Sequence, residues 1–270
     1  MPVTDDHTVT ADGLYAFQKG EGDRPPIVFL HGFAAGSFVW ARLQDAFSTD
    51  RKTLAYDLPG HGGSASSSGV GGGGSMAKAL IADLDRRGVE RAHLVGHSMG
   101  GAAAALVAAR QPKRAASLTL LAPGGFGSEI NHRLLRRYAL ADNEQDLIAC
   151  LEEMFGWNAT IPPELVSRLT ILRKADGAAD RMKQIMRSIF VEDDGGISQG
   201  VIRREMFAAL DMPVKVLWGT QDRVLPTRQS HRLPPLFAAH VFENTGHMLI
   251  EERPYEVEIL IRQNIASVGD

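Results

Sequence analysis

Ser98 is the residue whose surroundings most plainly point to chemistry. It stands in Gly96-His97-Ser98-Met99-Gly100, after the apolar run His93-Leu94-Val95 and before an alanine-rich stretch over 102–109. A Gly-x-Ser-x-Gly between a strand and a helix holds the serine on a strained turn with its hydroxyl exposed. A Cβ at Gly96 or Gly100 would collide with the neighbouring strand or helix. A serine hydroxyl is a weak nucleophile at neutral pH and needs a base oriented by a carboxylate. Two later segments supply such groups. Asp222, in Trp218-Gly219-Thr220-Gln221-Asp222-Arg223, follows the apolar run 214–218, and His247, in Thr245-Gly246-His247-Met248, follows the predicted strand 240–243. The rival carboxylates Asp211 and Glu243 do not follow a strand in the required place.

An acyl-transfer site also needs backbone N–H groups aimed where negative charge develops, each contributing roughly 3 kcal/mol. Met99, next to the nucleophile, supplies one, and Phe33 in His31-Gly32-Phe33 supplies the other. His31 is expected to order that loop by hydrogen bonding. His97 is expected to point away from the site and pack.

The elements that must position these residues follow from hydrophobic pattern. A continuous apolar run at 27–30 and short strands at 52–56, 92–96 and 117–121 are separated by helical periodicity over 37–47, 76–87 and 98–110, the signature of a parallel sheet covered on both faces. Residues 8–19 form an edge hairpin turning at Asp12-Gly13. The Gly/Ser-rich stretch 62–75 is expected to be a mobile surface loop. Between Pro123 and Leu210 no strand is predicted; helices are expected over 130–140, 144–155, 163–173, 179–190 and 198–210. The sheet resumes at 214–218 and 240–243, and a helix over 254–266 closes the chain. The predicted architecture is an α/β core, residues 1–123 and 211–270, with a helical cap, residues 124–210, over the strand ends where ligands bind in open α/β sheets.

Composition narrows the partners. The chain has 270 residues, a net charge of −3, and 44% hydrophobic and 23% charged content, ordinary for a globular protein. That charge argues against a nucleic-acid surface. The single cysteine, Cys150, permits neither an intrachain disulfide nor a cysteine-based metal site. No metal or organic cofactor is expected. The polar start of the chain lacks the pattern of a signal peptide, and no apolar run spans a bilayer, so a cytoplasmic location without membrane association is expected. In the cap, Phe126 and Trp157 are expected to line the substrate pocket, with Met154, Phe155 and Met186 as further candidates. Arg133, Arg136 and Arg137 read as a solvated helix face rather than an anion site.

Taken together, HGF (31–33), DLPGHGGS (57–64), GHSMGG (96–101), WGTQDRVLP (218–226) and TGHM (245–248) resemble the α/β-hydrolase superfamily from about residue 8 to 266. The resemblance implies the order serine, acid, histidine found here. Residues 92–131, and APGGFGSEIN within them, look like the catalytic domain of the dihydrolipoamide acetyltransferase component of acetoin-cleaving dehydrogenase complexes. That likeness implies acyl transfer between dihydrolipoamide and coenzyme A, with a lipoyl domain or dehydrogenase complex as partner; the residues before Ile27 are too few to hold a lipoyl domain. Carbon–carbon bond hydrolases share the Ser-Met-Gly-Gly elbow but typically place tryptophan where Met248 stands. The expected function is a serine hydrolase forming an acyl-enzyme from a small ester, thioester or related acyl compound, with acyl transfer as the alternative. A carbon–carbon bond hydrolase and a non-catalytic binding module stand behind both.

Overall fold

The computed structural model describes residues 7–8 and 13–269. The first half of the core contains β1 (His7–Thr8), β2 (Ala16–Lys19), β3 (Ile27–Leu30), β4 (Thr53–Tyr56), β5 (Ala92–His97) and β6 (Ala115–Leu121). Between them lie α1 (Ala41–Phe47), entered through a 3-10 turn at Ser37–Trp40, α2 (Gly73–Arg86) and α3 (Met99–Arg110). An insertion follows, with α4 (His132–Leu140), α5 (Glu144–Met154), α6 (Pro163–Arg173), α7 (Ala178–Ile189) and the two-stranded hairpin β7 (Phe190–Asp193) and β8 (Gly196–Gln199). The core is completed by β9 (Val214–Gly219), β10 (Phe237–Phe242), α8 (Leu249–Glu252) and α9 (Pro254–Ala266).

The main sheet runs β1-β2-β4-β3-β5-β6-β9-β10. Pairing is antiparallel from β1 through β2 to β4 and parallel from there on. Every residue of β3, β4, β5 and β6 is buried, as the apolar runs require when helices cover both faces. Register aligns the strand ends: Leu30 opposes Gly96, His97 opposes Leu121, and Leu121 opposes Leu217. The loops after β3, β5, β9 and β10 therefore leave the sheet at one edge.

Most predicted elements are present within a few residues, and the edge hairpin is seen as β1 paired with β2, although its predicted turn at residue 12 lies outside the described residues. Two expectations are corrected. The helix predicted over 198–210 does not exist. Gly195-Gly196 breaks the helical period, Gly196 takes φ +114°, and the chain folds back as β7 and β8 before a 3-10 turn at Arg204–Phe207. The amides of Gln199 and Ile202 are drawn to the carbonyls of Ser128 and Gly125, which ties this segment to the chain leaving β6. The stretch 62–75, expected as a loop, holds a 3-10 turn at Gly62–Ser64 and the first turn of α2. Ser64 is buried with its hydroxyl accepting from the Tyr15 amide, and the Asp57 carboxylate accepts from the amides of Ser37 and Gly63. No described helix is long and apolar enough to cross a membrane.

Candidate active site

Local backbone demands set the position of Ser98. The residue joins β5 to α3 at φ +54°, ψ −117°, a region that side chains rarely adopt and that persists only where the surroundings enforce it. Enforcement is visible on both sides. A Cβ at Gly96 would lie 2.4 Å from the Gly100 carbonyl oxygen, and one at Gly100 would lie 2.3 Å from that of Leu30. The Ser98 amide donates to the Leu121 carbonyl at 2.9 Å, and the Ser98 carbonyl accepts from Ala102 and Gly124.

The structure brings Asp222 and His247 together. His247 Nδ1 lies 2.8 Å from Asp222 Oδ2, with both side chains buried. The other carboxylate oxygen accepts from the Val224 and Leu225 amides at 2.8 Å each, and Trp218 Nε1 donates to Oδ2 at 3.1 Å. These donors hold the carboxylate in place, and its contact with the ring directs the Nδ1–H of His247 toward Asp222. The His247 backbone is pinned as well. Its amide donates to the Met154 carbonyl at 2.7 Å, and its carbonyl accepts from His97 Nε2 at 2.9 Å. Glu252 accepts from the amides of Gly156, Gly246 and Met248, joining the loop that carries His247 to the end of α5.

His97 therefore does more than pack. Burial, reinforced by the neighbouring His247 ring 4.8 Å away, pushes its pKa down to about 3, so it stays neutral and donates to the carbonyl behind His247. A histidine that contacts the site through a main-chain carbonyl leaves no trace in a motif. Glu252 acts through main-chain amides, which no motif shows, whereas the Trp218 indole bonds the Asp222 carboxylate itself from four residues earlier, a spacing the sequence does display.

The loop after β3 is held by two histidines. His31 Nε2 accepts from the Leu58 amide, and Nδ1 donates to the Gly32 carbonyl at 2.7 Å. His61 Nε2 accepts from the Ala34 amide at 3.0 Å. An amide can donate only to an unprotonated ring nitrogen, so both rings are neutral with the proton on Nδ1. Burial lowers both pKa values, which agrees with that tautomer. The expected ordering role of His31 is thus visible as hydrogen bonds. Among the described residues, the Phe33 and Met99 amides have no protein acceptor. Both residues line the same cavities as Ser98 or lie beside it.

Ser98 faces two cavities. The larger, about 310 Å³, is lined by Phe33 and Met99 and by apolar side chains, among them Leu106, Ile130, Leu135, Ile189, Ile202 and Met206. The smaller, about 30 Å³, is bounded by His97, Ser98, Tyr138, His247, Met248 and Glu251. Here the pocket expectation is corrected. Phe126 stacks on Phe207 with ring centroids 5.5 Å apart and does not line either cavity. Trp157 is 72% exposed on the outer surface, its amide bonded to Gln221. Met154 does line the small cavity, whereas Phe155 is buried in the core and Met186 borders an outer groove. Hydrophobicity at helical spacing does not specify which face of each helix turns inward, and Ile202 lies between β8 and the 3-10 turn at Arg204–Phe207 rather than on a helix. Arg136 and Arg137 pair with Glu192 and Glu153 on the surface, as a solvated face would. Among the described residues no cluster of three or more His, Cys, Asp or Glu is placed to hold a metal ion.

The chain is 28% identical over 94% of its length to a Cupriavidus necator protein named the dihydrolipoyllysine-residue acetyltransferase component of an acetoin cleaving system, and covers 67% of that protein. It is 25% identical to the human monoacylglycerol lipase ABHD6, over 94% of this chain and 79% of that one. Among solved structures, a serine hydrolase, CCSP0084, from Cycloclasticus zankles superposes over the whole of both chains with a TM-score of 0.80 at 18% identity, a likeness of fold. Residues 27–258 match the alpha/beta hydrolase family, and this enzyme belongs to it.

Proposed function

We propose that this enzyme is a serine hydrolase that forms an acyl-enzyme on Ser98. The observation that carries the reading is the His247–Asp222 hydrogen bond of 2.8 Å, made by two buried side chains from separate strand ends beside the cavity that Ser98 lines. Ser98 Oγ attacks the substrate carbonyl carbon while His247 Nε2 takes its proton; Asp222 holds the Nδ1 proton and stabilises the imidazolium. The Phe33 and Met99 amides receive the oxyanion. Collapse of the tetrahedral intermediate breaks the bond to the leaving alcohol or thiol, to which His247 returns the proton. Water, activated by the same imidazole, then releases the acid. Residues 124–210 act as a cap: they form about half of the large cavity's wall and keep the reacting carbonyl away from bulk water. No cofactor enters these steps.

A second reading has the acyl-enzyme handing its group to a thiol instead of water, supported by the acetyltransferase name of the Cupriavidus necator relative. Esters and thioesters of increasing acyl length, assayed with and without dihydrolipoamide and coenzyme A, separate the two. Hydrolysis at an unchanged rate with thiol present supports the first reading; acyl-thiol product exceeding free acid supports the second. Ser98→Ala should remove either activity, roughly 10⁴-fold or more, without loss of folding. A variant that retains activity removes Ser98 from the mechanism.

A further inference from the structure

The small cavity holds a polar group that the proposed steps do not use. Glu251, in α8, lines it together with Ser98, His247, Tyr138 and Met248. Its Oε2 is fully buried and has no hydrogen-bond partner in the protein. An unpartnered buried carboxyl oxygen costs about 1–3 kcal/mol, so one on a residue that lines a reaction cavity calls for a partner that arrives with the substrate. On its outer side, Glu251 with Val39 and Ile250 forms the wall of a surface groove, so the residue closes the small cavity.

The two cavities differ in kind. The large one is bounded chiefly by apolar side chains, and the small one has room for about one or two waters. We propose that Glu251 determines specificity at this site: its buried oxygen hydrogen-bonds a hydroxyl or carbonyl oxygen on a short group of the acyl substrate, whose apolar remainder fills the large cavity. The inference rests on Ser98 being the nucleophile. It makes the substrate a molecule with one long apolar arm and one short, oxygen-tipped arm flanking the scissile carbonyl.

Chemistry in the neighbourhood agrees. Burial, with Glu252 beside it, raises the Glu251 carboxyl to about 8, so at neutral pH it is protonated and offers one donor as well as acceptor capacity. Such a group pairs with a hydroxyl or a carbonyl and carries no charge to disturb the imidazolium of His247. The Arg173 guanidinium lies 4.8 Å from the Tyr138 ring centroid and donates to the Ala34 carbonyl.

The test compares pairs of esters that differ by a hydroxyl replaced with a methyl. 2-Hydroxyethyl octanoate against propyl octanoate places the hydroxyl on the alcohol side; octyl glycolate against octyl propanoate places it on the acyl side. In one pair Glu251→Leu should cut the hydroxyl-over-methyl ratio of kcat/KM by about tenfold or more, while Glu251→Gln, which still donates and accepts, retains most of it. The responding pair identifies which arm occupies the small cavity. The same ratio in the parent and Glu251→Leu for both pairs, or no turnover of any of the four esters, would overturn the proposal. Unfolding temperatures confirm that each variant folds, with Glu251→Met replacing the leucine variant if it does not. Covalent labelling by a fluorophosphonate, run in parallel, keeps the two ideas apart. A labelled protein with unmoved ratios counts against Glu251 alone, and an unlabelled parent removes the nucleophile on which the inference rests.

Discussion

At the carboxyl edge of the sheet, the Asp222 carboxylate is held by four donors and His247 by its ring and by both of its main-chain polar groups. Across the large cavity, the insertion faces Ser98 with side chains such as Ile130, Leu135, Ile189 and Ile202, which have no directional bonds to satisfy. The difference is one of tolerance. Hydrogen-bonded groups work only within a few tenths of an ångström, whereas an apolar wall of similar volume can be built from many sequences. The edge is therefore expected to fix the chemistry and the insertion to select the apolar part of the substrate.

The sharpest way to break that division is Asp222→Asn. It keeps the shape of the side chain but removes the charge and favours the wrong imidazole tautomer, so kcat should fall by roughly 10³–10⁴ for every ester alike. A loss confined to long-chain esters would place Asp222 among the substrate-binding residues instead. Next in size, Ile202→Ala should lower kcat/KM for octanoyl esters about tenfold relative to acetyl esters, because the apolar wall recedes from the longer chain only. Equal losses on both would put the insertion into the chemistry and erase the contrast.

A smaller effect concerns pH and stability. The folded protein holds the Glu251 carboxyl at about 8, against 4.5 for an unperturbed glutamate, and so keeps a proton that the unfolded chain sheds between those values. The stability this contributes is full below about 4.5 and is lost as pH rises through about 8. Thermal unfolding of Glu251→Gln should match the parent at pH 5 and exceed it by a few degrees at pH 8.5. An equal difference at both pH values would show that the carboxyl is not held protonated. Least of all, Trp157→Ala should change stability by no more than about 0.5 kcal/mol and leave KM for octanoyl esters unmoved, since the ring stands 72% exposed away from both cavities.

How much the sequence disclosed follows the same boundary. Ser98, Asp222, His247 and the Phe33 loop were legible because a strained turn needs Gly96 and Gly100, and because loops leaving parallel strands share one edge. The helices of the insertion were legible too, some with caps: the Asn131 and Asn143 side chains accept from the amides of Leu134 and Asp146. The β7–β8 hairpin was not, because apolar residues at 197–207 match a helical period while the Gly195-Gly196 turn decides otherwise. Which way Phe126 and Trp157 face depends on tertiary packing rather than residue type, and neither lines a cavity beside Ser98. His97 and Glu252 act through a carbonyl and three amides, and Glu251 lies buried beside a small cavity, none of which is encoded by residue type alone.

The central claim is that Ser98 carries the acyl group, and peptide mass analysis after fluorophosphonate treatment tests it most directly. The expected result is one adduct per chain on the peptide containing Ser98, with hydrolysis lost in proportion and no adduct on Ser98→Ala. Activity that survives complete labelling, or an adduct on another residue that abolishes it, would contradict the account.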